Sequence, residues 1–265
     1  MVGEPIMYPE INALCESLHR RRISTFLVTN AQFPDQIDRL VPVTQLYVSV
    51  DAATKENLKK IDRPLFSDFW ERFLLCLEKL RDKRQRTVYR LTLVKGEGGN
   101  MDDVAQYARL VDLGKPDFIE IKGVTYCGSS GASGMTIQNT PYHDEVKAFG
   151  EAMCAAIAAD TQAGEAYGYG LACEHEHSLS LLLARKDRYL RQGRWHTWID
   201  YERFQSLVAS GAPFSAEDYH EATPDWAAYG AQEKGFDPQE TRFRKVRNHP
   251  TKPKPEATPQ MAGAW

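Results

Sequence analysis

Short runs rich in β-branched and aromatic residues alternate with longer stretches of helical periodicity, and this alternation limits the chain more than any other feature. The runs are Ser24–Val28, Gln45–Asp51, Arg86–Val94 and Asp117–Lys122. Between and around them lie Pro9–Arg21, Pro34–Leu40, Phe66–Lys83, Met101–Leu113 and Pro141–Ala158. Ile11, Leu14 and Leu18 share one face of the first segment, and Phe69, Phe73, Leu77 and Leu80 one face of the third. Strands that alternate with helices predict βα units around a parallel sheet, an α/β fold. After Gly164 the pattern changes. Strands are expected at Tyr167–Cys173, Leu179–Arg185 and Trp195–Asp200, with a turn at Arg191–Arg194. Short helices near Tyr201–Val208 and Ala216–Tyr219 and an aromatic loop through Trp226, Tyr229 and Phe236 follow. The expected organisation is a parallel-sheet α/β unit over 1–163, an appended α+β subdomain over 164–247, and a disordered Pro/Lys/Ala-rich tail over 248–265.

Polar residues recur where those strands end. They are Gly3-Glu4-Pro5, Thr29-Asn30, Ser49 with Asp51, and Lys122. Barrels of parallel strands collect reactive groups at the C-terminal strand ends. Within two strands the alternation also throws Arg90 with Thr92, and Glu120 with Lys122, onto one face. A parallel strand covered on both sides is almost wholly apolar, so these charges indicate a wet lumen that holds a charged ligand. The plainer reading is that Glu120 and Lys122 neutralise each other beside solvent.

Composition narrows the class. Of 265 residues 42% are hydrophobic and 26% charged, which suits a soluble globular chain with a sizeable core. No stretch approaches a membrane span, and the start lacks the basic and apolar runs of a secretory signal, so a cytoplasmic protein without a membrane partner is expected. The cysteines Cys15, Cys76, Cys127, Cys154 and Cys173 are scattered without a Cys-x2-Cys pair, as reduced structural cysteines are. The net charge of -3 disfavours a general polyanion binder, but Arg242, Arg244, Lys245, Arg247, Lys252 and Lys254 form a basic tail without acids. Such a tail is able to hold a phosphate backbone or to be merely solvated. The string Glu174-His175-Glu176-His177 puts two imidazoles on one side of a strand, a zinc-like spacing. It equally suits a substrate contact or a structural polar network, and no metal ligand is assigned. Trp195, Trp198, Tyr201, Trp226 and Tyr229 either fill a small core or stack on unpaired bases.

The order Gly-Glu-Pro, Thr-Asn, Ser-x-Asp-Ala and then a basic strand ending Val94-Lys95-Gly96 resembles the radical S-adenosylmethionine (SAM) barrel downstream of its cluster loop. Longer strings resemble one family within it, the tRNA 4-demethylwyosine synthases of wybutosine formation. They are Val2–Pro9, Phe26–Pro34, Tyr47–Asp51, Ile61–Phe66, Tyr89–Lys95, Phe118–Cys127, Cys173–Ser178, Trp198–Tyr201 and Gly235–Pro238. The resemblance implies a partial radical-SAM (β/α) barrel with a C-terminal wyosine-forming subdomain. It implies SAM contacts at Gly3, Glu4, Thr29, Asn30, Ser49, Asp51 and Arg90, with Glu4 at the amino group and Arg90 a bidentate partner for the carboxylate. Glu120, Lys122, His175 and His177 are candidate substrate contacts. The family joins N1-methylguanosine of tRNA-Phe to two carbons of pyruvate, using SAM, a 4Fe–4S cluster and an electron donor, in the class of radical carbon–carbon lyases.

The family's Cys-x3-Cys-x2-Cys loop and its pyruvate-binding lysine are expected upstream of Met1. The resemblance therefore implies the C-terminal portion of a synthase, inactive by itself, with a missing N-terminal half as partner. Two other classes stay open. One is a non-enzymatic tRNA-binding relative. The other is a βα-barrel metal hydrolase built on His175, His177 and an acid such as Glu120 or Asp51.

Overall fold

The computed structural model describes residues 3–128, 135–159 and 168–240. Its elements run α1 (Ile11–His19), β1 (Phe26–Thr29), α2 (Pro34–Arg39), β2 (Gln45–Ser49), α3 (Lys55–Asp62), α4 (Phe69–Arg81), β3 (Arg86–Leu93), α5 (Val104–Gly114), β4 (Phe118–Gly123) and α6 (His143–Ala159). Then come β5 (Tyr169–His175), β6 (Ser180–Arg185), α7 (Lys186–Tyr189), β7 (Leu190–Arg191), β8 (Arg194–Trp195), β9 (Trp198–Ile199), α8 (Tyr201–Ser210) and β10 (His220–Glu221). The basic stretch from Arg242 to Lys254, the tail over 248–265 and most of the Gly/Ser loop at 128–134 lie outside the described residues.

One six-stranded sheet in the order β1-β2-β3-β4-β6-β5 carries the fold. β1 to β4 are mutually parallel, whereas β6 runs antiparallel to both β4 and β5. The α/β class expected from the alternation is the class observed. The change of pattern after Gly164 marks the switch from parallel to antiparallel pairing, and β5 and β6 extend the same sheet. The expected strand at Trp195–Asp200 is two short pieces. β8 pairs with β7 across the Arg191–Arg194 turn, and β9 pairs with β10.

Strand alternation divides the sheet into two unlike faces. Leu46, Val48, Tyr89, Leu91, Ile119, Ile121, Leu181 and Leu183 point to the helices and are buried with Phe73, Leu77, Tyr107, Phe149 and Met153. The other face carries Tyr47, Ser49, Arg90, Thr92, Glu120 and Lys122, all partly accessible. Chain after β6 closes the N-terminal end of this second face. Buried Arg86 donates from Nε to Gln45 at 2.9 Å and from Nη2 to the Thr197 carbonyl at 2.7 Å, and its guanidinium stacks 4.3 Å from the Phe118 ring. Tyr219 Oη accepts from Arg86 N at 2.8 Å and donates to the Thr44 carbonyl at 3.0 Å. Gly235 seals the other end of that segment. With φ +87° it lies where an added Cβ would come 2.2 Å from the Glu174 carbonyl, so only glycine fits.

Candidate active site at the strand ends

At the C-terminal end of β1, Gly3 turns with φ +110° and presents Glu4 to the strand end. Glu4 Oε2 accepts from Asn30 N at 2.7 Å, and the Ile6 amide and Thr29 side chain also reach the carboxylate. Its Oε1 is buried without a partner. Burial raises the Glu4 pKa, and the donated hydrogen bonds offset part of that rise. Ala31, buried with φ +58°, holds an unfavourable left-handed conformation beside it. Gly3, Glu4, Thr29, Asn30 and Ser49 together line a cavity of 510 Å³.

Asp51 lines a second cavity of 510 Å³ with Thr92, Arg63, Glu97 and Asn100. Burial raises the Asp51 pKa, while Arg90 and the Thr92 hydroxyl pull it down. Asn100, fully buried, ties the rim together. Its Nδ2 donates to the Asp51 carbonyl at 3.1 Å and the Thr92 carbonyl at 2.8 Å, and its Oδ1 accepts from Val94 N at 2.9 Å. Asp62 sits exposed at the mouth of a third cavity, of 260 Å³, shared with Glu4 and Asn30. Surrounding protein and then the charge of Asp51 push its carboxyl up to about 6. Sequence reasoning assigned no role to Asp62 or Asn100. The signals available were the matched string Ile61–Phe66 and the Gly-Gly-Asn run after β3.

The remaining expected residues fall into cross-strand rows. Ser49, Arg90 and Glu120 are neighbours in one row, and Thr92, Lys122, Ser180 and His175 in the next. Arg90 lines none of these three cavities, but its charge acts on both Asp51 and Glu120. Burial raises the Glu120 pKa, with Arg90 and Lys122 opposing it. Glu120 and His175 line a lumen of 480 Å³ walled by Tyr47, Cys173, Trp198 and Trp226. The Glu-His-Glu-His string splits between two sides. Glu174 turns to the helices, where His143 Nε2 lies 3.0 Å away and Gly230 N donates at 2.8 Å. His175 Nδ1 meets Ser178 Oγ at 2.5 Å, and the His175 and His177 rings pack against Phe236 at 5.0 and 6.1 Å. Of the aromatics proposed for stacking, Trp198 and Trp226 meet edge to face at 5.6 Å on the lumen wall, and Tyr229 donates to Glu151 at 3.0 Å.

Residues 1–111 match the sequence profile of the radical SAM superfamily, and residues 113–185 that of wyosine base formation. The S-adenosyl-L-methionine-dependent tRNA 4-demethylwyosine synthase of Oryza sativa subsp. japonica is 61% identical over 94% of this chain. That of Arabidopsis thaliana is 61% identical over 96%, and TYW1 of Homo sapiens 55% over 92%. This chain is a homologue of the tRNA 4-demethylwyosine synthases. It spans 37%, 38% and 33% of the lengths of these three relatives. Among solved structures, TYW1 with a lysine–pyruvate adduct bound superposes with a TM-score of 0.58 at 27% identity, over 70% of this chain and 55% of that one. Archaeal TYW1 gives 0.54 at 26%, over 71% and 56%. The radical-SAM α/β architecture implied by the motifs is therefore the architecture of the chain.

The residues present fit one of the family's two cofactors. A partnerless, buried carboxylate oxygen at Glu4 suits the ammonium of SAM, because a charge-assisted bond satisfies what the fold leaves open. The thiols do not suit an iron–sulfur cluster. All five are free, Cys15 and Cys76 are buried, and burial pushes Cys76 up to about 12 and Cys154 and Cys173 to about 11. No group of three or more His, Cys, Asp or Glu able to hold a metal is brought together among the described residues, and His175 and His177 have no third ligand there. No helix among them is long and apolar enough to cross a membrane.

Proposed function

We propose that this chain forms the SAM-holding face of a tRNA 4-demethylwyosine synthase, a radical SAM carbon–carbon lyase acting on N1-methylguanosine of tRNA-Phe with pyruvate. The buried, unpartnered Oε1 of Glu4 carries the reading. Glu4 takes the ammonium of SAM, and Thr29 and Asn30 flank the methionyl part. Ser49 and Arg90 sit in the adjacent row of the open face, where a hydroxyl and a guanidinium suit a ribose and a carboxylate. Asp51, across the Asn100-braced rim, lines the space next to it. SAM supplies hydrogen-atom abstraction chemistry when bound, and the chain's own residues orient it and keep water from it. The nucleobase enters the lumen between Tyr47 and the Trp198–Trp226 pair, and Glu120 and His175 offer polar contacts to its edge. The 4Fe–4S cluster and the electron donor belong to protein other than the described residues, and the site of action is the cytoplasm.

Calorimetric titration tests the reading. SAM binds stoichiometrically, whereas 5′-methylthioadenosine, which lacks the amino-acid end, binds at least roughly tenfold more weakly because no ammonium meets Glu4. Equal affinity for the two ligands contradicts the assignment of Glu4.

A further inference from the structure

Beyond the C-terminal end of β4 and the N-terminal end of β6, which pair antiparallel, lies a cavity of 420 Å³ that the SAM assignment does not use. Lys122, His177, Ser178 and Thr140 line it, along with Thr125 and Tyr126, and among the described residues no carboxylate does. Among the described residues Lys122 makes no hydrogen bond or ion pair, and Glu120, two residues back on the same face, is its charge neighbour. Glu120 does not line this cavity. The Thr140 hydroxyl is buried without a partner, which is costly unless something completes it. Ser178 Oγ is held in place by His175 Nδ1 at 2.5 Å and Ser180 Oγ at 3.0 Å, and Ser180 pairs across the sheet with Lys122. Val124 lines both this cavity and the one at Asp51, so the two adjoin at the sheet's rim.

We infer that this cavity is an oxyanion subsite, with the Lys122 ammonium as its fixed charge and the Thr140 and Ser178 hydroxyls and His177 imidazole as surrounding polar partners. A cation that makes no salt bridge, an orphaned hydroxyl and a wall without acids among the described residues together select a compact anion. The two sources of such an anion here are a small carboxylate, such as the 2-oxoacid co-substrate, and a phosphate of the RNA backbone. Its position beside the cavity at Asp51, an expected SAM contact, favours the carboxylate. The inference rests on the functional reading for its ligand's identity, although the cavity's preference for an oxyanion stands without it.

Ligand-observed NMR on the full 265-residue chain decides the matter, with pyruvate and inorganic phosphate titrated separately and SAM titrated into the same samples. Pyruvate is expected to bind, with Lys122→Met weakening it at least roughly tenfold and Lys122→Arg retaining it within about threefold, since either cation serves a carboxylate. Thr140→Val, nearly isosteric, is expected to weaken it about threefold through loss of one hydrogen bond. Undiminished SAM binding by the variants shows that they fold. Phosphate binding that depends on Lys122, without pyruvate binding, supports the subsite and assigns it to RNA. No binding of either anion, or equal binding by wild type and Lys122→Met, overturns it. Loss of SAM binding in the wild type with pyruvate binding intact overturns the functional reading and leaves the subsite standing.

Discussion

Glu4 and Asp62 show how single carboxylates at the strand ends carry opposite consequences. Burial raises the pKa of both, but Glu4 has amide and hydroxyl donors and an oxygen that waits for another, while Asp62 has the charge of Asp51 beside it. The Asp62 carboxyl titrates at about 6 instead of 3.8. A raised acid costs nothing while protonated in both states. Folding stability therefore falls as pH rises between about 4 and 6 and stays reduced above that range. Asp62→Asn removes the loss, so its melting temperature should exceed that of wild type at about pH 7.5, with the gain shrinking as pH is lowered toward about 4. Because Asp62 is exposed at the cavity mouth, solvent screening keeps the gain small. A thermal scan across pH that finds no gain, or a gain growing toward acid, contradicts the assignment. At this scale the sequence singled out Glu4, Thr29, Asn30 and Ser49, since polar residues recurred at successive strand ends, where a parallel barrel collects reactive groups. It was silent on Asp62, whose shift comes first from surrounding protein and then from Asp51, both of which come near only after folding.

Among the elements, β2 and β3 are held together at their functional ends by the Asn100 side chain. Asn100→Asp keeps the acceptor for Val94 N but removes both donors and sets a carboxylate against two carbonyls. It is expected to cost about 1–3 kcal/mol or more in urea unfolding, the scale of a buried unsatisfied polar group. A loss well under that range contradicts the bracing role. The long amphipathic helix α4 and the strands β1 to β4 were legible because their periodicity exceeds any local ambiguity. The helix α3 was not anticipated. It is short and mostly polar, and it is started by Thr54, whose hydroxyl accepts from Asn57 N at 3.3 Å. The Trp195–Asp200 run read as one strand because its composition is β-prone, yet its two pieces pair with different partners. Pairing is a tertiary choice that propensity does not encode.

Across the whole molecule, the chain places every expected SAM contact except Arg90 on the rim of two cavities at one end of a single sheet. β1 lies at the edge of that sheet, and Phe26 on it is 48% exposed beside the open lumen. In the plant relatives this chain corresponds to little more than a third of the protein, 37% and 38%. The reading of the lumen as wet and charged came from Arg90, Glu120 and Lys122 alone. What sequence could not give was which wall each residue joins, because that depends on the cross-strand register and on the chain after β6 folding back over Arg86. The measurement that bears most directly on the account is calorimetric binding of SAM to the wild-type chain and to Glu4→Gln, a change that removes the charge and preserves the shape. Stoichiometric binding by wild type is expected, with a loss of at least roughly tenfold in the variant and a melting temperature no lower than that of wild type. Absence of SAM binding, or equal binding by both proteins, contradicts it.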